Sequence, residues 1–113
     1  MFKTLVARGA SKSIYVFDVP VTGELDLKKA AKAAGEKSIA MIHVSEINAL
    51  TGYVRGGCSP IGMKKQYRTV IHETAKNFGR VVVSGGKLGL QLELAPDDLA
   101  RACSGEFADI ISE

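Results

Sequence analysis

The apolar positions of this chain fall into two alternating patterns and one helical one. Phe2 to Arg8 and Ser13 to Val19 are β-branched or alternating runs separated by Gly9-Ala10-Ser11-Lys12, which predicts a β-hairpin. Asp26 offers an N-cap to a segment carrying Leu27, Ala30, Ala31 and Ala34 at helical spacing. Gly35 supplies its stop, so a short amphipathic helix with Lys28, Lys29 and Lys32 exposed is expected. Ser38 to His43 reads as a buried strand, and Val44, Ile47 and Leu50 mark a second short helix ended by Gly52.

Tyr53 to Met63 has few residues that could anchor a regular element and is expected to be an ordered loop. Thr69 to His72 and Arg80 to Ser84 read as strands around a short helical turn, and Gly85-Gly86-Lys87 connects tightly into a strand from Leu88 to Leu94. Pro96 fits the first turn of a helix running to Cys103, with Asp97 and Asp98 at its positive end. Phe107 to Ile111 is expected to be the last strand. Strands outnumber helices, so the fold class is α+β, with a mostly antiparallel sheet and flanking short helices.

Composition narrows the classes. At 113 residues the chain makes one domain, 1–113, with ordinary apolar (46%) and charged (24%) fractions that exclude disorder. No apolar run approaches the ~20 residues of a membrane helix, and the expected location is the cytoplasm. Trp is absent and aromatics are 6%, so no broad base-stacking surface is expected. The net charge of +3 is unevenly spread. Val54 to Arg80 holds six basic residues and one acidic, whereas Val81 to Glu113 holds two basic and six acidic. Composition alone favours a solvated lysine-rich surface; the asymmetry adds the reading that the middle of the chain faces a polyanion.

Candidate chemistry centres on Gly56-Gly57-Cys58-Ser59-Pro60. Paired glycines let backbone approach a ligand and can expose N–H donors, although a plain structural turn has the same residues. Cys58 sits near positive charge, yet no base stands at readable spacing, and a small loop filler is the better reading. Ser84-Gly85-Gly86-Lys87 fails as a phosphate loop because Val81 stands at the first glycine and Leu88 follows the lysine; it reads as a hairpin turn. Cys103 falls on the core face of its helix. Cys58 and Cys103 are expected as reduced thiols, with a single bridge as the alternative. His43 and His72 read as structural or surface residues. There is no triad and no metal set, and no cofactor is implied.

Phe2-Lys3-Thr4-Leu5, Leu27-Lys28-Lys29-Ala30-Ala31, Thr51-Gly52-Tyr53-Val54-Arg55-Gly56-Gly57-Cys58-Ser59-Pro60-Ile61-Gly62, Val83-Ser84-Gly85-Gly86-Lys87, Leu94-Ala95-Pro96-Asp97-Asp98-Leu99 and Phe107-Ala108-Asp109-Ile110 together resemble the YbaK/EbsC family. The likeness runs through essentially the whole chain. It implies the prolyl-tRNA-editing fold, a mixed, barrel-like sheet with flanking helices. It further implies trans-editing hydrolysis of misacylated tRNA(Pro), with Cys-tRNA(Pro) the favoured substrate and the substrate's own thiol attacking its ester.

By the same resemblance Lys3 matches the essential lysine and Gly56 the glycine whose backbone holds the ester. Thr4, Tyr53, Gly57, Cys58, Ser59, Pro60 and Ser84 are the expected substrate-pocket residues. Arg55, Lys64, Lys65 and Arg68 are the expected RNA contacts. The implied partners are the 3′ aminoacyl end of tRNA and prolyl-tRNA synthetase. Family members carry a further segment ahead of the Phe2-Lys3-Thr4-Leu5 motif. The sequence therefore reads as shortened there, with the pocket completed by another chain, as in a homodimer, or lost. Loss leaves the rival reading: a non-catalytic RNA- or synthetase-binding module that keeps the editing fold.

Overall fold

The computed structural model describes residues 1–54 and 57–112. Among the described residues seven strands and three α-helices follow in the order β1 (Phe2–Gly9), β2 (Ile14–Pro20), α1 (Leu27–Ala34), β3 (Ile39–Met41), α2 (Ile47–Thr51), β4 (Arg68–His72), β5 (Val81–Ser84), β6 (Gln91–Leu94), α3 (Pro96–Cys103) and β7 (Gly105–Ala108). Short 3₁₀ turns at Val44–Glu46 and Glu73–Asn77 lead into α2 and follow β4. None of these helices is long and apolar enough to cross a membrane.

The main sheet has the order β3-β1-β2-β4-β7, and β5 and β6 form a separate antiparallel ribbon. The expected hairpin is present, with Lys3 opposite Val19 and Thr4 opposite Asp18. The α+β class holds and the sheet is mixed: β2–β4 and β4–β7 pair in parallel, β1–β2 and β1–β3 antiparallel. Among the described residues the five strands do not close on themselves, so the expected barrel is an open sheet with a ribbon beside it.

Alternation along the strands divides the core in two. Tyr15, Phe17, Val19 and Val70 meet Ala30, Ala31 and Ala34 of α1 on one face. Phe2 and Ile71 meet Val81, Val83, Leu99 and Cys103 on the other. Because both faces of β2 are covered, the strand reads as a nearly unbroken apolar run, interrupted only by Asp18.

Local signals set α1. Asp26 accepts the N–H groups of Lys28 and Lys29 at 2.9 and 3.0 Å, a cap worth about 1 kcal/mol. Gly35 ends the helix with φ of 74°, in the left-handed region where glycine costs least. The apolar stripe is narrower than expected, since Leu27 is exposed and the three alanines alone are buried.

Three strands differ from the sequence expectation. β3 is an edge strand with Ala40 and Met41 exposed, not a buried run from Ser38 to His43. β6 begins only at Gln91, because Leu90 turns back to the Lys87 carbonyl and accepts the Gly85 N–H at 2.8 Å. β7 stops at Ala108, before the predicted Ile111 end. Beyond it the Ile110 N–H donates to Nδ1 of buried His72, and the Ile110 carbonyl accepts from Asp26.

Candidate functional site

The N-terminal half of β1 forms one wall of a cavity of about 420 Å³. Phe2, Thr4 and Val6 share this wall with Lys3, while Ile42, Val44 and Ile47 approach from the β3–α2 connection, with Cys58 and Ser84 also at the lining. Most of the lining is apolar. Among its described residues there is no histidine and no carboxylate side chain, and Lys3 is the one cationic side chain. Lys3 is half-buried and forms no hydrogen bond or ion pair among the described residues. Its ammonium is thus uncommitted among the described residues.

Of the predicted site residues, the fold brings Lys3, Thr4, Cys58 and Ser84 to this cavity. Gly56 and Arg55, one expected to hold the ester and the other RNA, lie outside the described residues. The remaining described pocket candidates are not among the residues lining this cavity. The Tyr53 hydroxyl donates to the Ile61 carbonyl at 2.6 Å, and its ring lies against Gly86, where an added Cβ would come within 3.0 Å of it. Tyr53 thus ties the glycine loop to the β5–β6 turn and is absent from the cavity lining. Ser59 is buried, its Oγ accepting the Ile61 N–H at 3.3 Å, and Pro60 is fully buried beside it.

Gly57 departs most from expectation. Its N–H donates to the Val54 carbonyl at 3.0 Å, so this amide is not a free donor for a substrate oxygen. The glycine is needed for another reason: a Cβ there would sit 3.0 Å from the Lys87 Cα. The loop therefore packs backbone to backbone against the turn after β5.

The electrostatics oppose a cysteine nucleophile. Burial pushes the Cys58 thiol up to about 11 against a smaller lowering by Thr51, and the charge of Asp18 adds to the rise. At neutral pH the group is a thiol, in keeping with a loop filler. Cys103 is likewise a core thiol, fully buried, and both cysteines are free.

Asp18 was not among the candidates. It is fully buried on β2, and its Oδ1 accepts the Thr4 hydroxyl at 2.6 Å, one residue from Lys3. Its Oδ2 has no partner among the described residues. Burial, partly opposed by the Thr4 bond, raises its carboxyl to about 7. The one legible signal was an acid in the middle of Ile14-Tyr15-Val16-Phe17-Asp18-Val19.

The basic stretch also sorts itself. Lys64 and Lys65 are exposed, the Lys64 stem lying across Gly52 and the Lys65 ammonium 5.9 Å from the Tyr67 ring centre. Arg68 is committed within the fold. Its guanidinium donates to the Ala34 and Ala33 carbonyls at 2.9 and 3.1 Å and pairs with Glu106 at 2.8 Å. It caps the C-terminal end of α1.

Comparison with known proteins bears on the family and the fold. The family model of the aminoacyl-tRNA editing domain matches residues 1–102. An Enterococcus faecalis protein provisionally named Cys-tRNA(Pro)/Cys-tRNA(Cys) deacylase EbsC is 48% identical over 113 residues, spanning 100% of this chain and 69% of that protein. A solved structure described provisionally as a trans-editing enzyme for prolyl tRNA synthetase superimposes with a TM-score of 0.89 at 26% identity, covering 99% of this chain and 70% of that one. A scaffold protein from work on epitope grafting by computational design superimposes with a TM-score of 0.91 at 26% identity, over 99% of this chain and 71% of the other.

Proposed function

This chain belongs to the aminoacyl-tRNA editing domain family, and on that premise we propose that it hydrolyses misacylated tRNA(Pro) in trans, with Cys-tRNA(Pro) the preferred substrate. Residues 1–113 act as one editing domain. The observation that supports the reading is the cavity at β1, a mostly apolar recess whose described lining includes Lys3, Thr4 and Ser84 and has no histidine or carboxylate side chain. A site with those groups can bind and polarise an ester, and leaves the nucleophile to the substrate.

In this reading Lys3 draws in the 3′ end of the tRNA and polarises the ester carbonyl. The cysteinyl thiol attacks its own carbonyl carbon. A C–S bond forms, the bond to the ribose oxygen breaks, and the thiol proton ends on that oxygen. The released thiolactone is opened by water. For amino acids without a thiol, the vicinal ribose hydroxyl assists water instead. Cys58, held as a neutral thiol, shapes the recess without reacting. Exposed Lys64 and Lys65 meet the phosphate backbone, and prolyl-tRNA synthetase supplies tRNA selection that this small basic surface does not.

The test is ester loss from Cys-, Ala- and Pro-tRNA(Pro) incubated with the purified chain. Loss is expected fastest from Cys-tRNA(Pro), and Lys3→Ala is expected to slow it by roughly 10²–10³-fold without changing the melting temperature. Wild-type turnover by Lys3→Ala defeats the assignment of Lys3. Binding of all three tRNAs without turnover makes the chain a non-catalytic module with an editing fold.

A further inference from the structure

The proposed chemistry uses Lys3 and the cavity but leaves Asp18 without a task. An acid in the interior of a sheet with one oxygen unmet is an expensive choice, an unsatisfied buried polar group costing about 1–3 kcal/mol. Here Oδ2 is the unmet oxygen and Oδ1 is bonded to Thr4, which lines the cavity. The sheet register makes this pairing obligatory. Thr4 stands directly opposite Asp18, between the apolar pairs Phe2–Pro20 and Val6–Val16.

A threonine hydroxyl carries one proton and two lone pairs. When Asp18 is ionised, the Thr4 proton is committed to Oδ1, and Thr4 offers the cavity only a lone pair, which suits an ammonium. When Asp18 is protonated, the carboxyl can donate to Thr4, and the Thr4 proton is free to turn toward a carbonyl oxygen. We infer that Asp18 is a positioning residue that sets, through Thr4, whether the cavity presents a proton or a lone pair to the aminoacyl ester. The inference rests on the deacylase reading of the same cavity.

The surroundings of Asp18 leave this equilibrium to the pair itself. Across β1 it meets Thr4; on the β4 side it lies in register with Ile71. Cys58 of the glycine loop and Cys103 of α3 both sense its charge, and both are thiols pushed up to about 11. Among the described residues, burial and the Thr4 bond are the two influences on the Asp18 carboxyl. With the carboxyl near 7, both hydrogen-bond polarities are populated around neutral pH.

Single-turnover deacylation of Cys-tRNA(Pro) from about pH 5.5 to 8.5 tests the inference. The wild type is expected to show an inflection near 7 in the rate at saturating substrate. Asp18→Asn, whose amide N–H can donate to Thr4 as the protonated acid does, should abolish it without slowing the acid end. Thr4→Val should abolish it and slow the reaction about tenfold at the acid end, and the double variant should be no slower than Thr4→Val. An inflection that survives Asp18→Asn, or a double variant slower than Thr4→Val, overturns the inference. Infrared difference spectra of the free protein, titrated over the same range, provide a readout independent of turnover. A protonated-carboxyl band should fade near 7, vanish in Asp18→Asn and shift in Thr4→Val. If no mischarged tRNA is hydrolysed yet that band behaves so, the deacylase reading fails while the Asp18–Thr4 coupling stands; a band unmoved by Thr4→Val removes the coupling as well.

Discussion

Replacing Asp18 by Asn should change how stability depends on pH. In the unfolded chain this carboxyl ionises near its ordinary 3.8, whereas in the fold it does so only at about 7. Between those values the native state holds the extra proton, so stability falls as pH rises and levels off above about 7. Three pH units at ~1.4 kcal/mol each give about 4 kcal/mol in all, of which about 3 kcal/mol is lost between pH 5 and 8. That is large beside the ~5–15 kcal/mol that holds a typical domain. Asparagine keeps an oxygen for the Thr4 hydroxyl and has no proton to lose. Urea unfolding of both proteins at pH 5 and pH 8 isolates the effect. Other shifted groups, such as His72, lowered by burial, and Glu36, lowered by Ser11 and Tyr15, occur in both proteins and cancel in the difference. The variant should gain on the wild type by about 3 kcal/mol from pH 5 to pH 8. A gap that stays constant within about 0.5 kcal/mol would refute the claim that Asp18 is desolvated and able to titrate.

Arg68→Ala should lower stability by about 1–2 kcal/mol in a thermal melt, through the lost charge-assisted bonds to the end of α1. It should leave the slope of log affinity against log salt unchanged, whereas Lys64→Ala or Lys65→Ala should each reduce that slope by about one for tRNA. Gly57→Ala forces a Cβ to within 3.0 Å of the Lys87 backbone and should cost about 1–3 kcal/mol in urea unfolding; an unchanged midpoint would mean that the two loops separate freely. Alkylation at pH 8 should modify Cys58 and Cys103 at least 100-fold more slowly in the native than in the unfolded protein, since a thiol at about 11 is ionised in roughly one molecule in a thousand. Fast modification of the native protein would return Cys58 to consideration as a nucleophile.

The sequence by itself determined the features that rest on neighbours along the chain. The hairpin of β1 and β2, the Asp26 cap and Gly35 stop of α1, and the Pro96 start of α3 each need only a few adjacent residues, so their signals were local and readable. The family resemblance named Lys3, Thr4, Cys58 and Ser84 as candidates, and the fold places these four at one cavity. Tertiary structure decided the rest. β4 and β7 are parallel to β2 because their partners arrive after long crossovers. β7 ends early because His72, 38 residues away, takes the Ile110 N–H. Gly57 spends its amide within the loop, and Arg68 is drawn to α1. Asp18 titrates near neutrality because segments remote in the chain exclude water from it. Hydrogen-bond competition and desolvation depend on which surfaces meet in space, and a one-dimensional pattern of residue types does not encode that directly.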